Sequence, residues 1–162
     1  MRARLATYAD RAEIARIYNE GIAERIATFE TRDRTAKDIG KWMDGKHPVI
    51  VVGEPGKIFG FAATFPYSAR ECYAGVAEFS VYVDRNYRGR GVGKFAMNYL
   101  IEQAAAAGFH KLLSRIFVEN AASLKLMKSL GFREVGVYRN HAKLDGIWRD
   151  VVIVEYLIER NL

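Results

Sequence analysis

The chain contains very little cysteine and histidine. Cys72 is its one cysteine, which excludes a disulfide within the chain and any cysteine-rich zinc site. The histidines His47, His110 and His141 lack the spacing of metal ligands on one helix, so we predict no metal. No apolar run approaches the roughly 20 residues that span a bilayer, and the first residues lack a signal-peptide core. We therefore expect a cytoplasmic protein that does not bind membranes.

Length and composition indicate one globular domain over residues 1–162. Half of the residues are hydrophobic (50%) and 27% are charged, which is enough apolar material for a substantial core. The formal charge of +6 suits an acidic ligand or a nucleic acid, but the cations are spread along the chain among 19 carboxylates. Net charge alone therefore identifies no partner.

Hydrophobic periodicity predicts a mixed α/β fold without repeats or linkers. The predicted strands cover residues 2–6, 49–52, 58–65, 76–84, 111–118, 132–138 and 151–154. The predicted helices cover residues 10–21, 35–43, 92–107 and 120–130, and the glycines that follow the last two end them. Turn residues predict one hairpin after residue 52 and another at Asp145-Gly146.

The most informative stretch is Arg88-Gly89-Arg90-Gly91-Val92-Gly93-Lys94, between an alternating strand and an amphipathic helix. Its glycines let the backbone approach a ligand closely, and the first N–H groups of the helix lack intrachain partners and carry partial positive charge. With Arg85 nearby, the cations indicate a polyphosphate. A P-loop would need Ser or Thr where Phe95 stands, and a Rossmann turn would need an early βαβ unit. Both contexts are missing.

Two elements resemble the Gcn5-related N-acetyltransferase (GNAT) superfamily. Arg88-x-x-Gly91-x-Gly93, after the fourth predicted strand, is similar to the superfamily's acyl-coenzyme A pyrophosphate loop. Asn120-x-x-Ser123-x-x-Leu126-Met127-x-x-x-Gly131-Phe132 is similar to its asparagine-headed helix beside the pantetheine arm. The resemblance implies a mixed, mostly antiparallel central sheet flanked by helices. Many members carry a thiolate-protonating tyrosine where this chain has Met127, so the proton donor is left open.

Further stretches, at residues 17–22, 27–31, 78–83 and 148–152, resemble the phosphinothricin acetyltransferase branch. Within that branch, residues 72–79 and 114–117 are most similar to the arsinothricin-resistance acetyltransferases. The resemblance implies acetyl-CoA as donor. It implies as acceptor the α-amino group of a glutamate-like phosphinic, arsinic or sulfoximine amino acid. It also favours a homodimer.

The residues make chemical sense in these roles. An ammonium group must lose a proton before it attacks a thioester, and Glu78 is the candidate base, directly or through water, with Glu30 as its rival. Arg70 suits an anionic acceptor because guanidinium binds two-oxygen anions bidentately. Phe29, Glu30 and Tyr73 complete the predicted acceptor pocket, and His141 and Lys143 are weaker candidates. The predicted donor-binding residues are Val81, Tyr82, Val83, Arg88, Gly89, Arg90, Gly91, Val92, Gly93, Lys94, Asn120 and Ser123.

Other interpretations remain open at this point. The acceptor could be a protein N-terminus, a polyamine or an ordinary amino acid, since superfamily members differ in their acceptor loops. A non-catalytic phosphate-binding or nucleic-acid-binding module ranks lower, because the glycine spacing has no role in it and no aromatic stacking platform accompanies the cations. We therefore expect a small-molecule substrate and no nucleic acid. Glu78 could also be a structural carboxylate paired with an arginine, and Asn120 only a helix cap.

Overall fold

A computed structural model describes all 162 residues. The strands are β1 (Arg2–Leu5), β2 (Val49–Glu54), β3 (Lys57–Pro66), β4 (Val76–Val83), β5 (Lys111–Phe117), β6 (Arg133–Leu144) and β7 (Ile147–Leu157). The helices are α1 (Arg11–Glu24), α2 (Ala36–Gly40), α3 (Val92–Ala106) and α4 (Ala121–Ser129). The strands form one seven-stranded sheet in the order β1-β2-β3-β4-β5-β7-β6. Only β4 and β5 are parallel, so the predicted mixed, mostly antiparallel sheet flanked by helices is confirmed. None of the helices has the length and apolar run required to cross a membrane.

The helices cover both faces of this sheet. On one face α3 and α4 contribute side chains such as Leu100 and Met127 to the larger core. On the other face α1 and α2 contribute Ile17 and Ile39 to a second core. Side chains of β4 alternate between the two faces, as predicted: Phe79 belongs to the first core and Tyr82 packs against the second.

Several predicted boundaries were wrong. We expected α1 to end near Gly21, but it continues to Glu24, and Arg25 ends it in the left-handed conformation with φ of 58°. Gly21 serves close packing instead, because a Cβ there would lie 2.5 Å from Cε1 of Tyr82. Helix α2 is shorter than predicted, and β6 and β7 are longer. The last hairpin extends to its tip because Asp145 and Gly146 both take the positive φ of a tight two-residue turn.

The pairing of β4 with β5 stops early, and this opens the sheet. The parallel register contains only Val76 with Lys111, Ala77 with Leu112, and Glu78 with Leu113. Beyond that point β4 stays paired with β3, and β5 with β7. At the fork, Ser114 Oγ donates a hydrogen bond to the carbonyl of Phe79 at 2.9 Å. The second half of β4 therefore lacks a strand partner on its β5 side.

Candidate active site

A cavity of about 480 Å³ lies where β4, the glycine turn, α4 and the end of α1 meet. All predicted donor-binding residues except Arg90 line it, so distant parts of the chain come together here. They are Val81, Tyr82, Val83, Arg88, Gly89, Gly91, Val92, Gly93, Lys94, Asn120 and Ser123. Arg90 lies outside, with its guanidinium 5.2 Å from the centre of the Tyr87 ring. Asn120 has its predicted capping role, because its side chain accepts a 3.2 Å hydrogen bond from the Ser123 N–H.

The backbone of the glycine turn has the conformation that an anion cradle requires. Gly89 and Gly91 have φ of 74° and 80°, a region that residues with a Cβ rarely adopt. Helix α3 begins at Val92 after Gly91, without a side-chain cap. Its first N–H groups therefore have no partner in the chain, and the helix dipole adds partial positive charge at the cavity wall. This geometry favours a phosphate group.

An acidic residue that we did not predict also lines the cradle. Glu24, at the end of α1, binds both terminal nitrogens of Arg88, at 2.8 and 2.6 Å. Hydrogen bonding from Arg88 holds the pKa of Glu24 below its ordinary value, and the pair raises the pKa of Arg88. The charge of Arg88 is thus neutralised within the protein. Attraction for an anion comes mainly from the backbone N–H groups and from Lys94, which makes no ion pair.

A second cavity, of about 50 Å³, continues from the first into the gap between β4 and β5. The two cavities share Ala27, Val81, Tyr82, Asn120 and Ser123. Its wall also contains Ser114, Arg115 and Met127. Met127 is buried, and its thioether carries no acidic proton, so the residue at this position cannot protonate a thiolate. Burial raises the pKa of Tyr82, the tyrosine in both walls, so its phenol stays protonated.

The predicted base, Glu78, lines neither cavity, but it forms an ion pair with Arg115, which lines the second. Its Oε1 accepts a 2.9 Å hydrogen bond from a terminal nitrogen of Arg115, and its side chain is 27% exposed. Oε2 makes no hydrogen bond within the protein. The parallel register explains the pair, because Leu113 is opposite Glu78 and Arg115 is the next residue on the same face of β5. Sequence reasoning missed Arg115 because the pairing depends on a contact between strands 37 residues apart.

The predicted acceptor residues fall into two separate groups, and neither group lines the two cavities. Phe29 and Glu30 follow α1, where the Phe29 ring packs edge-on against Phe117 at 4.7 Å and Glu30 pairs with Arg34. Arg70 and Tyr73 lie in the exposed loop between β3 and β4. Their guanidinium and ring centres are 5.8 Å apart.

The weaker candidates, His141 and Lys143, lie on β6. The His141 ring is 5.0 Å from the Tyr138 ring, and the Lys143 ammonium is 4.9 Å from the Trp148 ring. Neither residue lines either of the two cavities.

Comparison with known proteins gives a consistent result. The sequence pattern of the acetyltransferase (GNAT) family matches residues 13–132. The phosphinothricin N-acetyltransferase of Streptomyces coelicolor is 33% identical over 86% of this chain and 85% of its own. The L-methionine sulfoximine/L-methionine sulfone acetyltransferase of Salmonella typhimurium is 28% identical over 99% of this chain and 96% of its own. Among solved structures, the phosphinothricin acetyltransferase of Sinorhizobium meliloti in complex with acetyl-CoA has a TM-score of 0.89, with 25% identity over 96% of this chain and 87% of that chain.

Proposed function

Because the chain belongs to the acetyltransferase (GNAT) family, we propose that it acetylates the α-amino group of a small, toxic, glutamate-like amino acid. Family membership makes it an acetyl-CoA-dependent acyltransferase. The acceptors we propose are phosphinothricin, arsinothricin and methionine sulfoximine. One observation carries the proposal: the cavity at the glycine turn continues between β4 and β5 to Arg115, which forms an ion pair with Glu78.

The cradle has the features that the donor requires. Left-handed glycines, unpartnered N–H groups at the start of α3 and Lys94 suit a diphosphate, and Val81, Val83 and Asn120 would line the pantetheine arm. Acetyl-CoA, when bound, supplies the thioester carbon that the amine attacks. The edge of β4 that faces β5 carries backbone N–H groups without a strand partner, and such a group can polarise a thioester carbonyl. We propose direct transfer from the thioester to the amine; the one thiol of the chain, Cys72, lines neither cavity and is not positioned to carry the acetyl group.

Glu78 is the proposed general base. The ion pair with Arg115 fixes one carboxylate oxygen and leaves the other free to take a proton from the acceptor ammonium, directly or through water. A positioned base contributes roughly 10² to 10⁴ in rate. The thioether of Met127 has no acidic proton, so another group must protonate the leaving thiolate.

The acceptor, the assembly and the location are further parts of the proposal. Relatives named for phosphinothricin and for methionine sulfoximine support the amino-acid acceptor, with Arg70, Tyr73, Phe29 and Glu30 around it. We also propose a homodimer of single-domain subunits in the cytoplasm. Support for the dimer comes from the edge strand β6, whose hydrophobic residues Val135, Val137 and Tyr138 are about half exposed, at 46%, 52% and 51%.

The test follows free thiol while the protein is incubated with acetyl-CoA and each acceptor. Thiol release with at least one of the three toxic amino acids supports the proposal. Faster release with a peptide N-terminus or a polyamine would instead assign a different acceptor, and no release with any amine would refute the proposed acceptor chemistry. Binding of DNA or RNA that weakens with salt, without thiol release, would favour the non-catalytic alternative.

A separate variant tests the proposed role of Glu78 as general base. Glu78→Gln keeps the shape of the side chain, so we expect kcat to fall by about 10² to 10⁴ while the KM for acetyl-CoA changes little. Glu102→Gln, which removes an exposed carboxylate from the surface of α3, is the control and should keep its activity. Unchanged kcat for Glu78→Gln across pH would show that another group takes the proton.

A further inference from the structure

Arg149, near the start of β7, is an arginine whose hydrogen-bonding groups are left unused. Its Nε is the one buried side-chain polar atom in the structure that has no hydrogen-bond partner. The side chain is 21% exposed, and the nearest carboxylate oxygen, on Glu119, is 3.6 Å from a terminal nitrogen, beyond hydrogen-bond range. A buried donor without a hydrogen-bond partner destabilises the folded state. Because the unpartnered Nε does not stabilise the fold, another role is expected for the Arg149 side chain.

Arg149 lies on the same face of the sheet as the proposed base. In the β5–β7 register, Arg115 is opposite Ile153 and Phe117 is opposite Val151, so Arg149 is the next residue of β7 on that face. Its guanidinium carbon is 5.6 Å from the centre of the Phe117 ring. A line of side chains therefore runs along one face from Glu78 through Arg115 and Phe117 to Arg149.

The α1–α2 segment covers this end of the face. The Phe29 ring contacts Phe117, and Arg25, at the end of α1, pairs with Asp145 of the last hairpin at 3.0 Å. The aromatic rings reduce the access of water to the region beside Arg149. A charge–charge interaction there is less screened than on an open surface, and is correspondingly stronger.

Two of the three proposed acceptors present two anionic groups, each of which a separate cation could bind. Phosphinothricin and arsinothricin carry an α-carboxylate and an acidic group at the end of the side chain. The other arginines around this face have closer carboxylate partners than Arg149 has: Arg115 is 2.9 Å from Glu78 and Arg25 is 3.0 Å from Asp145, whereas Arg149 is 3.6 Å from Glu119. Arg70 is at the opposite end, in the β3–β4 loop. Arg149 is beside Phe117, against which Phe29 packs, and the 3.6 Å separation from Glu119 leaves its guanidinium without a hydrogen bond inside the protein.

We infer that Arg149 binds the acidic side-chain group of the acceptor and so selects acceptors with an anionic head over those with a neutral one. This inference rests on the proposed function. The planar guanidinium matches the two oxygens of a phosphinate or arsinate, and Arg149 is then a specificity residue that acts far from the reacting nitrogen. Binding would give hydrogen-bond partners to the terminal nitrogens of Arg149, whereas the buried Nε stays inside the protein.

The experiment compares two acceptors that share the α-amino and α-carboxylate groups. Phosphinothricin has an anionic head and methionine sulfone a neutral one. For Arg149→Met we expect kcat/KM with phosphinothricin to fall about 10- to 100-fold, as hydrogen bonds to a charged group are worth about 1.5–3 kcal/mol, while methionine sulfone changes less than about threefold. Arg149→Lys keeps the positive charge but cannot donate two parallel hydrogen bonds. Its kcat/KM with phosphinothricin should therefore lie between the values for wild type and Arg149→Met.

Arg139→Met is the matched control, because it removes an exposed arginine from the same hairpin and should leave the ratio of the two acceptors unchanged. Equal loss with both acceptors in the Arg149 variants, or an unchanged ratio, would overturn the inference. Thermal denaturation of each variant distinguishes a folding defect from a change in selectivity. If Arg149→Met does not fold, the comparison of the two acceptors is made with Arg149→Lys. Wild-type protein that acetylates neither amino acid would refute the proposed acceptor itself, which is a different failure.

Discussion

Substitution of a glycine in the turn before α3 should weaken acetyl-CoA binding, whereas an equally strained glycine elsewhere should affect only the stability of the fold. Gly91 and Gly56 both have φ of +80°, and a Cβ added at either position would meet no atom within 4 Å. An alanine therefore introduces the same backbone strain at both sites and no clash. Gly91 lines the large cavity, whereas Gly56 is in the turn between β2 and β3, away from it.

The size of the strain can be estimated. Holding alanine in the left-handed region costs about 1–2 kcal/mol, and the stiffer unfolded chain offsets roughly 0.4–1 kcal/mol of this. A net loss of about 1 kcal/mol lowers Tm by about 2–4 °C in a domain of this length. We expect this shift for Gly91→Ala and Gly56→Ala alike in thermal denaturation.

Only Gly91→Ala should impair donor binding. Its Cβ would enter the surface on which we expect the diphosphate to lie, so the KM for acetyl-CoA should rise about tenfold, a difference of about 1.4 kcal/mol. Thiol release measured over a range of acetyl-CoA concentrations gives this KM. The same KM for both variants would refute the role of the cradle. A Tm that neither variant lowers would refute the argument from positive φ.

Two further predictions concern stability. Burial raises the pKa of Asp84, but hydrogen bonds from the Asn86 N–H and Arg16 outweigh it, so the pKa lies below its ordinary value of 3.8. A carboxylate with a lowered pKa stabilises the fold above its ordinary pKa and loses that effect as pH falls further, so urea midpoints should hold above about pH 5 and drop below about pH 4. Constant midpoints from pH 5 to 3 would contradict this. Asn120→Ala removes the cap on the Ser123 N–H and should cost about 1 kcal/mol by urea denaturation, whereas Asn120→Asp keeps an acceptor oxygen and should not; equal stability of the two would show that the cap contributes nothing.

Local chemistry explains which features of the fold could be predicted. Gly108 and Gly131 have the positive φ expected of residues that end helices, Asn120 caps α4, and Asp145-Gly146 turns the last hairpin. Gly21 shows where this reasoning fails. A glycine can end a helix or allow close packing, and the sequence does not distinguish the two, because the deciding contact is with Tyr82 on a distant strand.

The helices and strands, their order along the chain, the glycines of the turn before α3 and the family could all be predicted from the amino-acid sequence. These features depend on neighbours within a few residues, or on a pattern of residues that can be read along the chain. The pairing of Glu24 with Arg88, the pairing of Arg115 with Glu78, and the unpartnered Nε of Arg149 beside Phe117 became visible in the folded chain alone. Those pairings depend on strand order and register, which result from the packing of the whole sheet against its helices.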